Sequence, residues 1–181
     1  MWKHVLVLDF DGVITYLDID WNMVRMEISK AVGFEVYSIL DFWDEYFGTR
    51  LSNIANNIVE KHELRAIMKA KPYDDVEATL REFDGEIYIA SMQSKKALNI
   101  FMEKHGLKEY FREILSRNDF RNKRGQLKHI IDREKEAEEI IFIDDSIRNL
   151  KICRELGIRC ILFIRELGMS LLNVTPIRGR I

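Results

Sequence analysis

The stretch His4-Val5-Leu6-Val7-Leu8-Asp9-Phe10-Asp11-Gly12-Val13-Ile14 decides how this chain is read. Val5 to Leu8 form an apolar run short enough for a fully buried strand, and Gly12 marks the turn that closes it. Side chains alternate across a strand, so Asp9 and Asp11 project together while Phe10 points into the packing. Gly12 allows a sharp turn without a Cβ clash. Two carboxylates this close repel by up to about 4 kcal/mol at roughly 4 Å in moderately polar surroundings, and a bound cation relieves the repulsion. The pair is a candidate phosphoryl-transfer centre, provided that the rest of the chain supplies partners for it.

The bulk properties set the frame. At 181 residues the chain suits one domain, or one domain with a modest insertion, and can bury a core without staples. Its 47% hydrophobic and 32% charged content is globular, with a charged fraction of the kind found in heat-adapted proteins. A net charge of -2 gives no nucleic-acid signature. Cys153 and Cys160 lack CxxC spacing and lie among apolar residues, which predicts reduced core thiols in a cytoplasmic protein. The opening Met1-Trp2-Lys3-His4 reads as neither a signal peptide nor a membrane span, and 175–181 reads as a basic tail.

After the first strand the periodicity turns helical. One face carries Trp21, Val24, Ile28 and Ala31, and a second carries Val36, Ile39, Leu40, Trp43 and Phe47. A third carries Leu51, Ile54, Ala55, Ile58 and Val59, and a short fourth helix is expected around Leu64, Ile67 and Met68, giving a small bundle whose aromatics Trp21, Trp43, Tyr46 and Phe47 are read as core. From Pro72 onward strands and helices alternate. Helices are expected over Asp74 to Phe83, from a Ser94 cap to Lys104, over Gln126 to Arg133 and over Ile147 to Leu156. Strands are expected at 86–90, 114–115, 140–143 and 160–164. Such alternation implies a parallel sheet covered on both faces, with ligands at the carboxyl ends of its strands.

What those strand ends carry is chemically coherent. The first ends in Asp9 and Asp11, the second in Ser91, and the fourth in Asp144-Asp145, while the polar loop after the third offers Lys123. A carboxylate nucleophile, a second carboxylate, a hydroxyl, an ammonium and a metal-binding acidic pair are what transfer through an aspartyl phosphate requires. Lys128 rivals Lys123 for the ammonium. The histidines His4, His62, His105 and His129 show no ligand spacing and are read as structural or exposed.

In this order the motifs resemble the haloacid dehalogenase superfamily, in its phosphatase branch with a helical cap. Asp9-Phe10-Asp11-Gly12-Val13 looks like the first motif, Ile87-Tyr88-Ile89-Ala90-Ser91 the second, Lys123 the third and Ile141-Phe142-Ile143-Asp144-Asp145 the fourth. The resemblance implies an α/β fold: a doubly wound, Rossmann-like parallel sheet (1–16 and 72–181) with a small α-helical cap (17–71) inserted after the first strand. It implies a Mg²⁺-dependent phosphomonoester hydrolase acting on a small phosphorylated metabolite. Asp9 is the implied nucleophile and Asp11 the acid/base. Ser91 and the Met92 N–H would hold phosphoryl oxygens, and Lys123 would neutralise charge. Mg²⁺ would be held by Asp9, the Asp11 carbonyl and Asp145, with Asp144 beside it; the two acidic residues are not ranked by sequence.

The loop Phe47-Gly48-Thr49-Arg50 is similar in position to the cap's specificity loop, which makes Arg50 a candidate substrate contact. The expected partner is a small phosphorylated substrate, with no nucleic acid and no membrane, in a monomer or dimer. Asp11 disfavours the dehalogenase branch, which lacks that second aspartate. A phosphomutase of the same superfamily and a non-catalytic phospho-ligand-binding protein are the alternatives. A signalling receiver domain is shorter, has no cap and carries its acceptor aspartate after the third strand.

Overall fold

The apolar runs read as strands pair side by side because each is buried on both faces. The computed structural model describes residues 4–176; the last five residues of the expected basic tail and the first three of the chain lie outside the described residues. Strands β1 (His4–Leu8), β2 (Gly85–Ala90), β3 (Glu113–Leu115), β4 (Glu139–Asp144) and β5 (Arg159–Leu162) form one five-stranded sheet in the order β3-β2-β1-β4-β5. All pairings are parallel, and Leu8 lies level with both Ile89 and Ile143. The doubly wound α/β fold expected from the strand pattern is therefore present.

Alternation sorts the side chains of β1 between two cores. Leu6, Leu8 and Phe10 pack under α4 (Val76–Glu82), α5 (Lys95–Lys104) and α8 (Leu171–Val174). Val5 and Val7 face α6 (Lys123–Arg133) and α7 (Ile147–Glu155) instead. Asp9 continues the second series, so the period of two aims it toward α6.

Between β1 and β2 the chain forms α1 (Trp21–Val32), α2 (Ile39–Tyr46) and α3 (Arg50–Lys69). Each starts where a cap is available: Asp20 accepts from the Asn22 and Met23 N–H groups, Ser38 from Asp41 and Thr49 from Ser52. Val24, Ile28, Val36, Phe42, Trp43, Ala55 and Val59 make a third core within this insertion. The two connections to the sheet run side by side, joined by Tyr73 N to Ile14 O at 3.0 Å and Thr15 Oγ1 to Lys71 O at 2.7 Å.

Several expectations change. The third and fourth helices are one helix, α3, because nothing between residues 59 and 64 breaks it and Ala55, Val59, Glu63 and Ile67 bury one face at a spacing of four. Ala31 and Leu40, expected on buried faces, are exposed. Helix α6 begins at Lys123 rather than near Gln126, because the Asn122 side chain accepts the Gly125 N–H at 2.9 Å and caps it. Cys153 and Cys160 are joined in a disulfide instead of standing as reduced thiols. The turn at Gly157 lays β5 back along α7 and brings their Cα atoms to 6.1 Å. Among the described residues no helix is long and apolar enough to cross a membrane.

The loop after β1 is anchored from the far end of the chain. The Arg165 guanidinium lies 4.1 Å from the Tyr73 ring centroid and 4.6 Å from that of Phe163. It donates to Val13 O at 2.6 Å and to both Asp75 oxygens at 2.9 and 2.8 Å. Asp75 also accepts from Ser170 Oγ and Leu171 N. Burial pushes the Asp75 carboxyl up, but the bonds from Arg165, Ser170 and Leu171 together outweigh it and hold the pKa below the ordinary value. A depressed carboxylate contributes stability above its unfolded pKa, near 4, that is lost as pH falls through the folded value. Asp75→Asn should therefore lower stability by about 2 kcal/mol at pH 7. Urea denaturation should also show a shallower loss of stability than wild type below about pH 4.

Candidate active site

The carboxyl ends of β1, β2 and β4 meet at one edge of the sheet, and α6 closes over them from the side that Asp9 faces. Asp9 directly follows β1 and its N–H donates to Ile143 O at 3.0 Å, locking its height to β4. Lys123, the first residue of α6, reaches back so that Nζ donates to Asp9 Oδ1 at 2.7 Å and to Ala90 O, and lies 3.3 Å from Asp144 Oδ2. Lys123 is 3% exposed and Asp144 is fully buried. Burial opposes the Lys123 charge, yet Asp9 and Asp144 outweigh it and hold the ammonium above its ordinary pKa. Lys128, the rival, is exposed on α6.

The turn after Asp9 is built around two residues. Asp11 Oδ1 accepts the Leu17 N–H at 2.8 Å, and Gly12 N donates to Thr15 O at 2.8 Å, closing a small loop. Gly12 has φ +82°, and a Cβ there would meet Asp145 Oδ2 at 2.2 Å. Both the backbone conformation and the approach of Asp145 exclude a side chain. Burial pushes the Asp11 carboxyl up to about 6, against the Leu17 N–H bond. Asp9 is also pushed up by burial, against the pull of Lys123.

Asp144 and Asp145, unranked by sequence, have different surroundings. Asp144 is occupied on both oxygens, Oδ1 by Ser146 N at 2.8 Å and Oδ2 by Asn149 Nδ2 at 2.9 Å. Asp145 is exposed, with its carboxyl against Gly12. Carboxylate oxygens of Asp9, Asp144 and Asp145 lie within 4.8 Å of one another, so the three could hold a metal ion. Lys123 is set against Asp9, Asp144 and Asp145, and Asp11 lines the same cavity, so carboxylates outnumber the ammonium here. An all-oxygen set with excess negative charge suits a hard divalent cation.

At the end of β2 the arrangement differs from the simple expectation. Ser91 is fully buried behind the cavity wall, and its hydroxyl donates to Gln93 Oε1. Its carbonyl accepts from Gln126 Nε2 at 2.7 Å. The Ser91 C=O and the Met92 N–H belong to one planar trans peptide and point in opposite directions. Gln126 thus fixes the orientation of the Ser91–Met92 peptide beside the cavity that Met92 lines. Lys123 and Gln126 are three residues apart on α6 and capture the carbonyl of Ala90, which ends β2, and that of Ser91 just beyond it.

A cavity of about 430 Å³ opens over this edge, with Asp9, Asp11, Lys123 and Asp145 as its floor and residues of α1–α3 as its roof. Arg50 is exposed at the start of α3 and is not among the lining residues; Arg25 of α1 and Arg117 of the loop after β3 are. Arg117 ties the roof to the floor. It donates Nη2 to Glu63 Oε2 at 2.9 Å, Nε to Asn56 Oδ1 at 3.0 Å and Nη1 to Met92 O at 3.1 Å. Trp43 and Trp21, read as bundle core, both reach the cavity. No histidine lines it.

Gln126, Arg117, Glu63 and Arg25 are the residues that motif reading missed. The spacing of Gln126 from Lys123 was a usable signal; the pairing of Glu63 with Arg117 across 54 positions was not.

The chain belongs to the haloacid dehalogenase-like hydrolase family, whose model matches residues 6–163. No curated protein matches the sequence. Its fold is similar to that of a candidate phosphoglycolate phosphatase of Lactobacillus plantarum (TM-score 0.67, 14% identity, covering 98% of this chain and 93% of that one). A haloacid dehalogenase-like family hydrolase of Streptococcus pneumoniae aligns with TM-score 0.63 at 15% identity over 96% and 91% of the two chains. A phosphoglycolate phosphatase predicted in Haemophilus somnus aligns with TM-score 0.59 at 14% identity over 88% and 84%.

Replacing Gln126 with Leu keeps the bulk but leaves the Ser91 carbonyl without its donor. Stability to urea should fall by about 2 kcal/mol, the cost of an unpaired buried acceptor. Gln126→Glu, which loses the same donor, should move in the same direction. Binding of inorganic phosphate, followed by calorimetry, should weaken in both variants.

Proposed function

We propose that this hydrolase is a Mg²⁺-dependent phosphomonoesterase that works through a phosphorylated Asp9 on a small substrate. The observation that carries the reading is the convergence of Asp9, Asp144 and Asp145 with Lys123 at one sheet edge, beside a second carboxyl, Asp11, whose pKa burial brings to about 6. In this reading residues 17–71 are a cap and 1–16 with 72–181 the catalytic core. Solved structures of similar fold named as candidate phosphoglycolate phosphatases are consistent with phosphate-ester chemistry.

Asp9 Oδ attacks phosphorus while the bond from phosphorus to the ester oxygen breaks. Asp11, protonated, donates its proton to the departing oxygen, so the alcohol leaves neutral. A carboxyl held near pKa 6 suits both halves of the cycle, because it can give a proton and then take one back near neutral pH. In the second half Asp11 removes a proton from water as the water oxygen attacks phosphorus, and the Asp9 carboxylate departs from inorganic phosphate. Lys123 keeps Asp9 oriented throughout and offsets charge on the transferring group. Asp9, Asp145 and the Asp11 carbonyl would hold Mg²⁺, with Asp144 steering Lys123 and the turn at Ser146. When bound, the ion would supply charge neutralisation for the phosphoryl group. Met92 N–H would hold a phosphoryl oxygen, and Ser91 joins it if its hydroxyl is released from Gln93.

We place the protein in the cytoplasm as part of this reading, a compartment in which disulfides such as Cys153–Cys160 are rare outside hyperthermophiles.

Phosphate release from 4-nitrophenyl phosphate tests the proposal. Activity should require Mg²⁺ and vanish in chelator. Asp9→Asn should abolish turnover, and Asp11→Asn should lower kcat by about 10²- to 10⁴-fold. Full activity in chelator, or equal phosphate release by wild type and Asp9→Asn, would overturn it.

A further inference from the structure

The roof of the cavity is chemically lopsided. Trp21, Ile39, Leu40, Trp43 and Val59 present apolar or aromatic surface over the carboxylate floor. Polar side chains on the roof are few: Asn22, Ser38, Tyr37 and Arg25. Ser38 Oγ already accepts the Asp41 N–H at 3.2 Å, and the Tyr37 hydroxyl donates to Glu35 at 2.8 Å.

The cations around the cavity are equally unequal. Lys123 is engaged by Asp9, Asp144 and Ala90 O. Arg117 is 3% exposed and bonded through Nε, Nη1 and Nη2 to Asn56, Glu63 and Met92 O. Arg25 makes one bond, Nη1 to Val36 O at 3.2 Å, and among the described residues its Nε and Nη2 have no partner. Those two atoms form the side-on edge of the guanidinium, which binds a carboxylate with two parallel hydrogen bonds. Trp21 stands four residues before Arg25 on α1, so the two residues lie on one helical face, and both line the cavity.

We propose that the leaving group is a flat aromatic or heteroaromatic alcohol bearing one carboxylate, with Trp21 as its apolar wall and Arg25 as the residue that selects the carboxylate. This rests on the phosphomonoesterase reading of the same site and adds the identity of what is attached to the phosphate. A polyhydroxylated sugar is a poor occupant, because Asn22, Ser38 and Arg25 offer fewer donors and acceptors than its hydroxyls would need under a roof that is otherwise apolar. Arg25, on this argument, takes the selecting role that the sequence placed at Arg50.

The experiment compares kcat/KM, with Mg²⁺, for 4-carboxyphenyl phosphate, phenyl phosphate, 2-phosphoglycolate and glucose 6-phosphate. The carboxylated aryl ester should exceed phenyl phosphate by roughly tenfold or more, the usual scale of a charge-assisted pair of bonds. Both aryl esters should exceed glucose 6-phosphate. In Arg25→Gln the ratio between the two aryl esters should fall to near one, and in Arg25→Lys, which keeps charge without the fork, to an intermediate value. Trp21→Ala should erode the preference for aryl esters over glucose 6-phosphate. Thermal melts of each variant separate a selective loss from a folding defect, since a folding defect scales all four substrates together. An unchanged aryl ratio in Arg25→Gln, or a tenfold preference of wild type for 2-phosphoglycolate or glucose 6-phosphate over both aryl esters, would overturn the proposal. If wild type hydrolyses none of the four but does hydrolyse 4-nitrophenyl phosphate, the phosphomonoesterase reading stands and the kinetic comparison counts against this proposal. If 4-nitrophenyl phosphate is not hydrolysed either, that reading fails by itself. Calorimetric binding of the two aryl esters to wild type and Arg25→Gln then decides this proposal: tighter binding of the carboxylated ester that Arg25→Gln abolishes supports it, and equal binding sinks it.

Discussion

The buried ammonium of Lys123 is the interaction on which the rest of the site depends. Placing a charged amine at 3% exposure costs several kcal/mol in lost hydration. That cost is offset because Asp9, Asp144 and the Ala90 carbonyl all point at it, from β1, β4 and β2. The lysine therefore holds the ends of three neighbouring strands at one height. Without it, Asp9 and Asp144 would face each other as uncompensated buried charges. With it, excess negative charge remains at Asp11 and Asp145, on the side open to the cavity, and that residual charge is what makes the edge receptive to a cation.

The helical insertion is tied to this edge unevenly. On one side Glu63 and Arg117, fully buried and 3% exposed, link α3 to the Met92 carbonyl and, through Glu63, to the Ser94 N–H. A buried pair of this kind is costly to break because each charge would be stranded. On the other side Arg148 of α7 reaches Asp41 and Asp44 of α2, through side chains that are 43%, 66% and 38% exposed. Exposed pairs contribute from nothing to about 1 kcal/mol and weaken with salt. At α2 the roof also has a buried tie, since Trp43 Nε1 donates to Arg117 O at 3.5 Å and Asn122 donates to Asp44, so the exposed pairs there supplement packing rather than replace it.

Much of this was legible in one dimension because two periodicities are local. The period of two placed Leu8 and Phe10 in one core and aimed Asp9 at the other, and the strands near 86–90 and 140–143 were recognisable from continuous burial. Errors arose where a local signal was ambiguous. A separate fourth helix was expected around Leu64, Ile67 and Met68, yet Glu63 is buried against Arg117 and the helix runs through. The cysteines showed no motif spacing, yet a turn at Gly157 pairs them.

What the sequence by itself determined is the parallel α/β sheet and the order of polar residues at its strand ends, because burial and alternation are properties of short segments. That order was enough to bring Asp9, Asp11, Lys123 and Asp145 to one cavity. Only the tertiary structure decided that Asp144 is engaged by Ser146, Asn149 and Lys123 while Asp145 is exposed, that Gln126 orients the Ser91–Met92 peptide, and that Arg25 rather than Arg50 lines the cavity. The physical reason is that these outcomes depend on which groups from distant segments already satisfy one another. A side chain's availability is set by its partners, and its partners are set by packing.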